Sequence, residues 1–109
     1  MKLNELSPSE VFSYFEKICS IPHGSGNTGM IADYCLEFAK LHGLKARKDT
    51  SDNVVIFKAG SSGYEDREPV ILQGHLDMVC EKEPDCDIDM SVQSIKACTD
   101  GKMVWADGT

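Results

Sequence analysis

The sequence predicts an α/β domain whose mixed sheet is flanked by helices, and two observations support this prediction. Apolar residues recur every three or four positions in two N-terminal stretches, a spacing typical of amphipathic helices. Further along, short β-branched runs are separated by turn residues, and one run, Val70 to Leu72, is apolar without interruption. A continuous apolar run favours a strand covered on both faces, as in a parallel sheet between helices.

Two helices are predicted before the first strand. Ser7-Pro8-Ser9-Glu10 has the form of a capping box with proline at the first helical position, so the first helix is expected over residues 8–19. Ile21-Pro22 and a Gly/Ser loop should end it. The second helix is expected from residue 27 or 28 to 42, and Gly43 supplies a left-handed cap.

Strands are expected over residues 44–48, 54–59, 69–74, 94–98 and 102–106. The pair Asp100-Gly101 is a strong signal for a hairpin between the last two strands. A buried strand over 69–74 needs layers on both faces, and only two convincing helices are present. We therefore expect more sheet and helix beyond Thr109, so that residues 1–109 form the N-terminal part of a larger domain.

Composition excludes several classes of protein. The net charge of -7 argues against a nucleic-acid surface, which normally carries a basic stripe. No apolar stretch reaches the roughly 18 to 20 residues of a membrane span, and the N-terminus lacks the apolar core of a secretory signal. Five cysteines without a Cys-x-x-Cys pair fit neither a disulfide framework nor a structural zinc module. A cytoplasmic protein that binds neither nucleic acid nor membrane is expected.

The most informative feature is the pair His75 and Asp77, which follows directly after the predicted strand over 69–74. Ligands gather at the carboxyl ends of strands in parallel sheets. His75 is therefore a candidate metal ligand, and Asp77 could steady it through the second ring nitrogen or the adjoining loop, or polarise a metal-bound water. In the alternative interpretation His75 is a hydrogen-bonded histidine at a strand end and Asp77 opens an Asx turn.

Other polar residues are weaker candidates. His23 lies in a loop without a carboxylate neighbour, so a structural role is favoured over catalysis. His42 is placed in the last helical turn, where the macrodipole favours a cation. The acidic residues of segment 81–89 lack the glycine and terminal glutamate of a calcium loop, and a solvated surface is expected there.

Three ordered motifs resemble the M20 superfamily of zinc-dependent aminopeptidases and carboxypeptidases and, within it, the aminoacyl-histidine dipeptidases. The first motif combines Leu6-Ser7-Pro8 with the stretch from Phe15 to His23. The second runs from Gln73 to Val79, and the third is Ala106-Asp107-Gly108-Thr109. Three matches in order are far more specific than His-x-Asp alone, and together they cover nearly the whole chain.

This resemblance implies the N-terminal part of a zinc-exopeptidase-like catalytic domain. His75 matches the first metal-ligating histidine of the family, and Asp77 matches the aspartate that supports it and is counted catalytic. Two divalent metals are implied, zinc first and other divalent ions as an option. The family's bridging aspartate, catalytic glutamate and later ligands fall beyond residues 1–109, so we expect this chain alone to be inactive. The full-length enzyme is expected to hydrolyse dipeptides, in particular aminoacyl-histidine dipeptides, with a homodimer as one option.

Two alternatives stay open. Another hydrolase of the same superfamily, such as an aminotripeptidase or a deacylase, would share His75 and Asp77; the match through Met78, Val79 and the segment 20–23 favours the dipeptidase. A non-catalytic module that binds a metal or a protein partner is the second alternative, because 109 residues cannot assemble a two-metal site alone.

Overall fold

The computed structural model describes residues 2–109, which divide into two compact units. Unit 1 combines residues 2–31 with residues 77–109, and unit 2 is formed by Ala32–Leu76. The elements in chain order are a 3₁₀ helix Leu3–Glu5, helices α1 (Ser9–Cys19) and α2 (Gly29–Leu41), and strands β1 (Lys45–Lys48), β2 (Val54–Phe57), β3 (Ala97–Thr99) and β4 (Val104–Ala106). Apart from the strand expected over residues 69–74, helices and strands follow one another as predicted, and the α/β class is confirmed.

Unit 1 is built on α1 and the 3₁₀ helix, which pack against each other. Leu3 is 2% exposed, and Cys19 at the end of α1 is also buried. Burial raises the pKa of the Cys19 thiol, as expected for a small core residue. The predicted capping box is wrong: α1 begins at Ser9, its N-cap is Pro8, and no side chain caps it. Proline has no side-chain acceptor, so the first helical N–H groups lack the partner that serine would give.

Helix α2 ends as the sequence predicts, at a left-handed glycine. Gly43 has a φ of 65°, which a residue with a Cβ adopts only with strain. The Leu44 N–H donates to the Ala39 carbonyl at 2.8 Å, and the Gly43 N–H donates to the Lys40 carbonyl at 3.1 Å. These two bonds form a Schellman motif, which satisfies the last carbonyls of the helix and turns the chain into β1.

The first hairpin lies in unit 2. Strands β1 and β2 are antiparallel, with Lys45 opposite Phe57 and Lys48 opposite Val54. The polar turn between them is held by Asp49, whose carboxylate accepts bonds from the Ser51 and Asn53 N–H groups and from the Asn53 amide. These donors lower the pKa of the Asp49 carboxyl, the Asn53 side chain most of all.

The second hairpin lies in unit 1. Strands β3 and β4 pair antiparallel, with Cys98 opposite Trp105. Gly101 takes a positive φ of 92°, as the Asp-Gly signal predicts, but the loop is longer than a two-residue turn. The Asp100 carboxylate accepts bonds from the Lys102 and Met103 N–H groups and so spreads the turn over four residues.

The predicted buried strand over residues 69–74 is wrong in this structure. No strand pairs with the segment anywhere in residues 2–109, and Val70, Ile71 and Leu72 are 85%, 85% and 94% exposed. The sheets formed by β1–β2 and β3–β4 are both antiparallel, and within residues 2–109 parallel pairing is limited to one bridge, between Gly24 and Met78. A run of apolar residues becomes a buried strand only where neighbouring strands and covering layers meet it, and the described residues supply neither.

No helix within residues 2–109 is both long and apolar enough to cross a membrane.

Candidate functional site

The two residues predicted for the site fall in different units. Asp77 belongs to unit 1 and is half-buried, and His75 belongs to unit 2 and carries an exposed side chain. The Asp77 Oδ2 atom accepts a hydrogen bond from the Ser25 hydroxyl, with 2.5 Å between the two oxygens. This is the short distance typical of a bond from a hydroxyl to an ionised carboxylate.

A pair of backbone bonds brings Ser25 to Asp77. The Met78 N–H donates to the His23 carbonyl at 3.0 Å, and the Ser25 N–H donates to the Met78 carbonyl at 3.2 Å. Together they form the parallel bridge between Gly24 and Met78. These two bonds hold the loop after α1 in register against the segment that contains the predicted metal motif. Asp77, which precedes Met78, therefore lies next to Ser25, which follows Gly24.

His23 has the structural role that the sequence favours. The residue is 8% exposed, and its Nδ1 lies 2.5 Å from the Ile21 carbonyl oxygen. A carbonyl oxygen can only accept, so Nδ1 carries the proton in this contact. The His23 backbone carbonyl accepts the bond from Met78, so the residue anchors the loop through both main chain and ring.

Gly24 allows the two segments to approach closely. A Cβ built at this position would lie 2.5 Å from the Cys80 Sγ atom, well inside ordinary contact distance. Asn27 closes the loop: its N–H donates to the Gly24 carbonyl at 2.8 Å, and its side-chain amide donates to the Ser91 carbonyl at 2.9 Å. The segment from residue 23 to 27 is therefore held at both ends within unit 1.

The third sequence motif, at residues 106–109, is held by separate contacts in unit 1. Lys96 Nζ lies 3.0 Å from the Asp107 carboxylate, which raises the pKa of the Lys96 ammonium. The Asp107 N–H donates to the Lys96 carbonyl at 3.1 Å, and the Gly108 carbonyl accepts from the Glu83 N–H at 2.9 Å. Gly108 has a φ of 76°, a conformation that favours glycine.

The acidic segment 81–89 is a solvated surface, as expected. Its five carboxylate residues are exposed: Glu81, Glu83, Asp85, Asp87 and Asp89. The Asp89 carboxylate accepts bonds from the Ser91 hydroxyl and N–H, the hydroxyl lowering its pKa most. His42, at the end of α2, stacks on Phe38, and its Nδ1 lies 2.8 Å from the Phe38 carbonyl oxygen.

His75 and Asp77 have side chains of the types that bind or support a divalent metal, and they could supply part of a metal site. His75 offers an imidazole and Asp77 a carboxylate, both suited to zinc and to other divalent ions. A zinc site takes about four ligands, and within residues 2–109 no three His, Cys, Asp or Glu side chains are grouped so as to hold an ion. Residues from outside this chain would have to complete the site.

Sequence reasoning missed Ser25. Its partner Asp77 lies 52 positions along the chain, and no local pattern reports a contact between loops so far apart. The available signal was the loop itself, because Gly24-Ser25-Gly26 places a hydroxyl between two residues that let a backbone approach closely.

The chain is similar in sequence and in structure to parts of two dipeptidases. No protein-family model matches the chain. It is 41% identical over 108 residues to the "Cytosol non-specific dipeptidase" of Escherichia coli (strain K12), a match that covers 99% of this chain. The crystal structure of aminoacylhistidine dipeptidase from Vibrio alginolyticus superposes with a TM-score of 0.92 at 38% identity over 100% of the chain. The chain spans 22% of the length of each relative.

Over nearly its whole length the chain is therefore homologous to a segment of two dipeptidases. More particularly, both relatives are M20 peptidases, which confirms the resemblance indicated by the three sequence motifs.

Proposed function

We propose that residues 1–109 are the N-terminal part of the catalytic domain of a metal-dependent dipeptidase that acts as a longer chain. The observation that carries this proposal is the similarity to two dipeptidases over 99% and 100% of the chain, which includes both the His75 motif and the Asp107 motif. Hydrolases of this kind are also the class that the sequence motifs predict.

In this proposal His75 is a ligand of one divalent metal, and Asp77 orients that imidazole or the attacking water. The exposed imidazole and the hydrogen-bonded carboxylate support these roles. When bound, a pair of divalent metals would supply a nucleophile near neutral pH and polarise the scissile carbonyl. The chain's own contribution is one ligand and the group that orients it, so residues 1–109 alone should be inactive.

The proposed substrate is a dipeptide, and an aminoacyl-histidine dipeptide in particular. One relative is named for aminoacylhistidine and the other for non-specific dipeptide hydrolysis, so both specificities need to be measured. We further propose a cytoplasmic location, which the name of the cytosol relative supports. A homodimer of the full-length enzyme stays a prediction.

The test uses the full-length enzyme. Activity on an aminoacyl-histidine dipeptide and on a dipeptide without histidine is followed before and after chelation and after zinc is restored. We expect chelation to abolish hydrolysis, zinc to restore it, and His75→Ala to lower both turnover and metal affinity measured by calorimetry. His42→Ala is the matched control, because His42 is also an exposed histidine but contacts Phe38 instead. Activity that resists chelation, or unchanged metal affinity in His75→Ala, would refute the assignment.

Asp77→Ala tests the second role. A group that orients a ligand or water acts chiefly in the transition state, so kcat should fall by about 10- to 100-fold while KM changes little. Steady-state kinetics on the dipeptide measure both constants. An equal kcat in the variant and the wild type would show that Asp77 has no such role.

A further inference from the structure

We propose that Ser25 is a positioning residue that fixes the Asp77 carboxylate, and so tunes metal affinity and turnover at the His75 motif. This inference rests on the proposed function and adds to it a residue that the motifs themselves do not contain. It begins from the hydroxyl-to-carboxylate contact of 2.5 Å between Ser25 Oγ and Asp77 Oδ2.

The contact is built by the backbone. Backbone bonds from Met78 to His23 and from Ser25 to Met78 hold the two segments in parallel register. The backbone at Ser25 is therefore already placed so that its side chain can reach Asp77. The buried ring of His23 and the amide of Asn27 hold the loop on either side. A side chain held in this way loses little further entropy when its hydroxyl forms a bond.

The chemistry suits a supporting role. An ionised carboxylate has about four acceptor positions, and the bond from Ser25 uses one of them. This bond restricts rotation of the Asp77 carboxylate and so favours one orientation of its plane. The proposed task of Asp77 is to accept a further bond from an imidazole or a water, which a carboxylate can do in addition to the bond from Ser25. Removing a group that bonds directly to a metal ligand typically changes metal affinity or activity by about 10- to 100-fold. Ser25 acts on such a ligand only through Asp77, so we expect an effect at the low end of that range.

The experiment uses the full-length enzyme and four substitutions. Ser25→Ala removes the hydroxyl, and Ser25→Thr keeps it. Ser25 is exposed and has no positive φ, so the additional methyl group of threonine can lie in solvent. Ser20→Ala is the matched control, because the Ser20 hydroxyl also makes one bond, to the Lys17 carbonyl at 2.6 Å, and has no bond to Asp77. Asp77→Asn, alone and combined with Ser25→Ala, tests whether Ser25 acts through Asp77.

We expect Ser25→Ala to lower kcat and the zinc affinity of the metal-free enzyme by about tenfold each, with KM changed less than about twofold. Ser25→Thr should recover most of both losses, and Ser20→Ala should match the wild type. The double variant should be no worse than Asp77→Asn alone, because a positioning residue has nothing left to position. Melting temperatures of all variants show whether a loss reflects unfolding.

Each contrary outcome is decisive. Equal kcat and zinc affinity in Ser25→Ala and the wild type, or losses in the double variant that multiply, would overturn the inference. A loss that Ser25→Thr does not recover and that follows the melting temperature would also overturn it, in favour of a loop-stabilising role. If the wild-type enzyme hydrolyses no dipeptide, the proposed function fails, and the zinc affinities of the same variants still decide whether Ser25 acts through Asp77.

Discussion

Gly24→Ala tests the close approach that holds the candidate site together. The new Cβ would lie 2.5 Å from Cys80 Sγ, about 1 Å or more inside the separation at which carbon atoms pack without repulsion. Inserting a methyl group into a packed position costs about 1 to 3 kcal/mol. Because Cys80 is exposed and its Sγ can rotate away, we expect the lower end of that range, about 1 kcal/mol.

The assay is urea unfolding of the full-length enzyme, combined with kcat on the dipeptide substrate. Gly24→Ala should lower the unfolding midpoint and reduce kcat, because the parallel bridge to Met78 is displaced along with the Asp77 contact. Cys80→Ala alone should change stability by less than about 0.5 kcal/mol, as surface substitutions usually do. Gly24→Ala combined with Cys80→Ala should regain most of the loss. A double variant as impaired as Gly24→Ala would refute the steric explanation.

Three further predictions concern the fold. Gly43→Ala forces a Cβ into a φ of 65° and should destabilise α2 by about 1 to 2 kcal/mol, which denaturant titration measures; an unchanged midpoint would contradict the Schellman cap. Asp49→Ala should lower stability at neutral pH. The Asp49 pKa lies below its ordinary value of 3.8, so its contribution to stability is present above that value and is lost as the pH falls through the lowered pKa. The unfolding midpoints of wild type and variant should therefore converge in acid. A difference that stays constant with pH would be inconsistent with this linkage. Ile71→Lys should reduce dye binding and self-association of the isolated 109-residue chain, because it breaks an apolar run that is 85% to 94% exposed; equal association on sedimentation would exclude this run as the cause.

Local signals predicted the parts of the fold that local interactions determine. The periodicity of α2, the left-handed cap at Gly43 and the Asp100-Gly101 hairpin each depend on residues close together in sequence, and each is present. The capping box at Ser7 failed because a cap depends on which residue leaves the helical conformation, and here that residue is Pro8. The sequence shows which residues could cap the N-terminus of the helix, but the backbone conformation decides which of them occupies the N-cap position.

Long-range features were predicted less well. The apolar run of residues 70–72 predicts a strand packed on both faces, but the described residues do not pack against it. His75 and Asp77 were predicted together because they share one short motif, and their roles stay a prediction. Ser25 was missed because its role depends on a contact across 52 positions, which only the folded chain reveals.

The interrupted make-up of unit 1 has a consequence for biosynthesis. Residues 2–31 leave the ribosome first, and the 45 residues of Ala32–Leu76 must follow before Asp77 and Met78 can join them. At about 5 to 20 residues per second, the segment that pairs with the loop around Ser25 is synthesised several seconds after that loop. Closure across a long intervening segment becomes only about 0.6 kcal/mol harder for each doubling of its length. Unit 2 can therefore gain or lose surface residues in evolution while the chain on either side still meets at Gly24 and Met78.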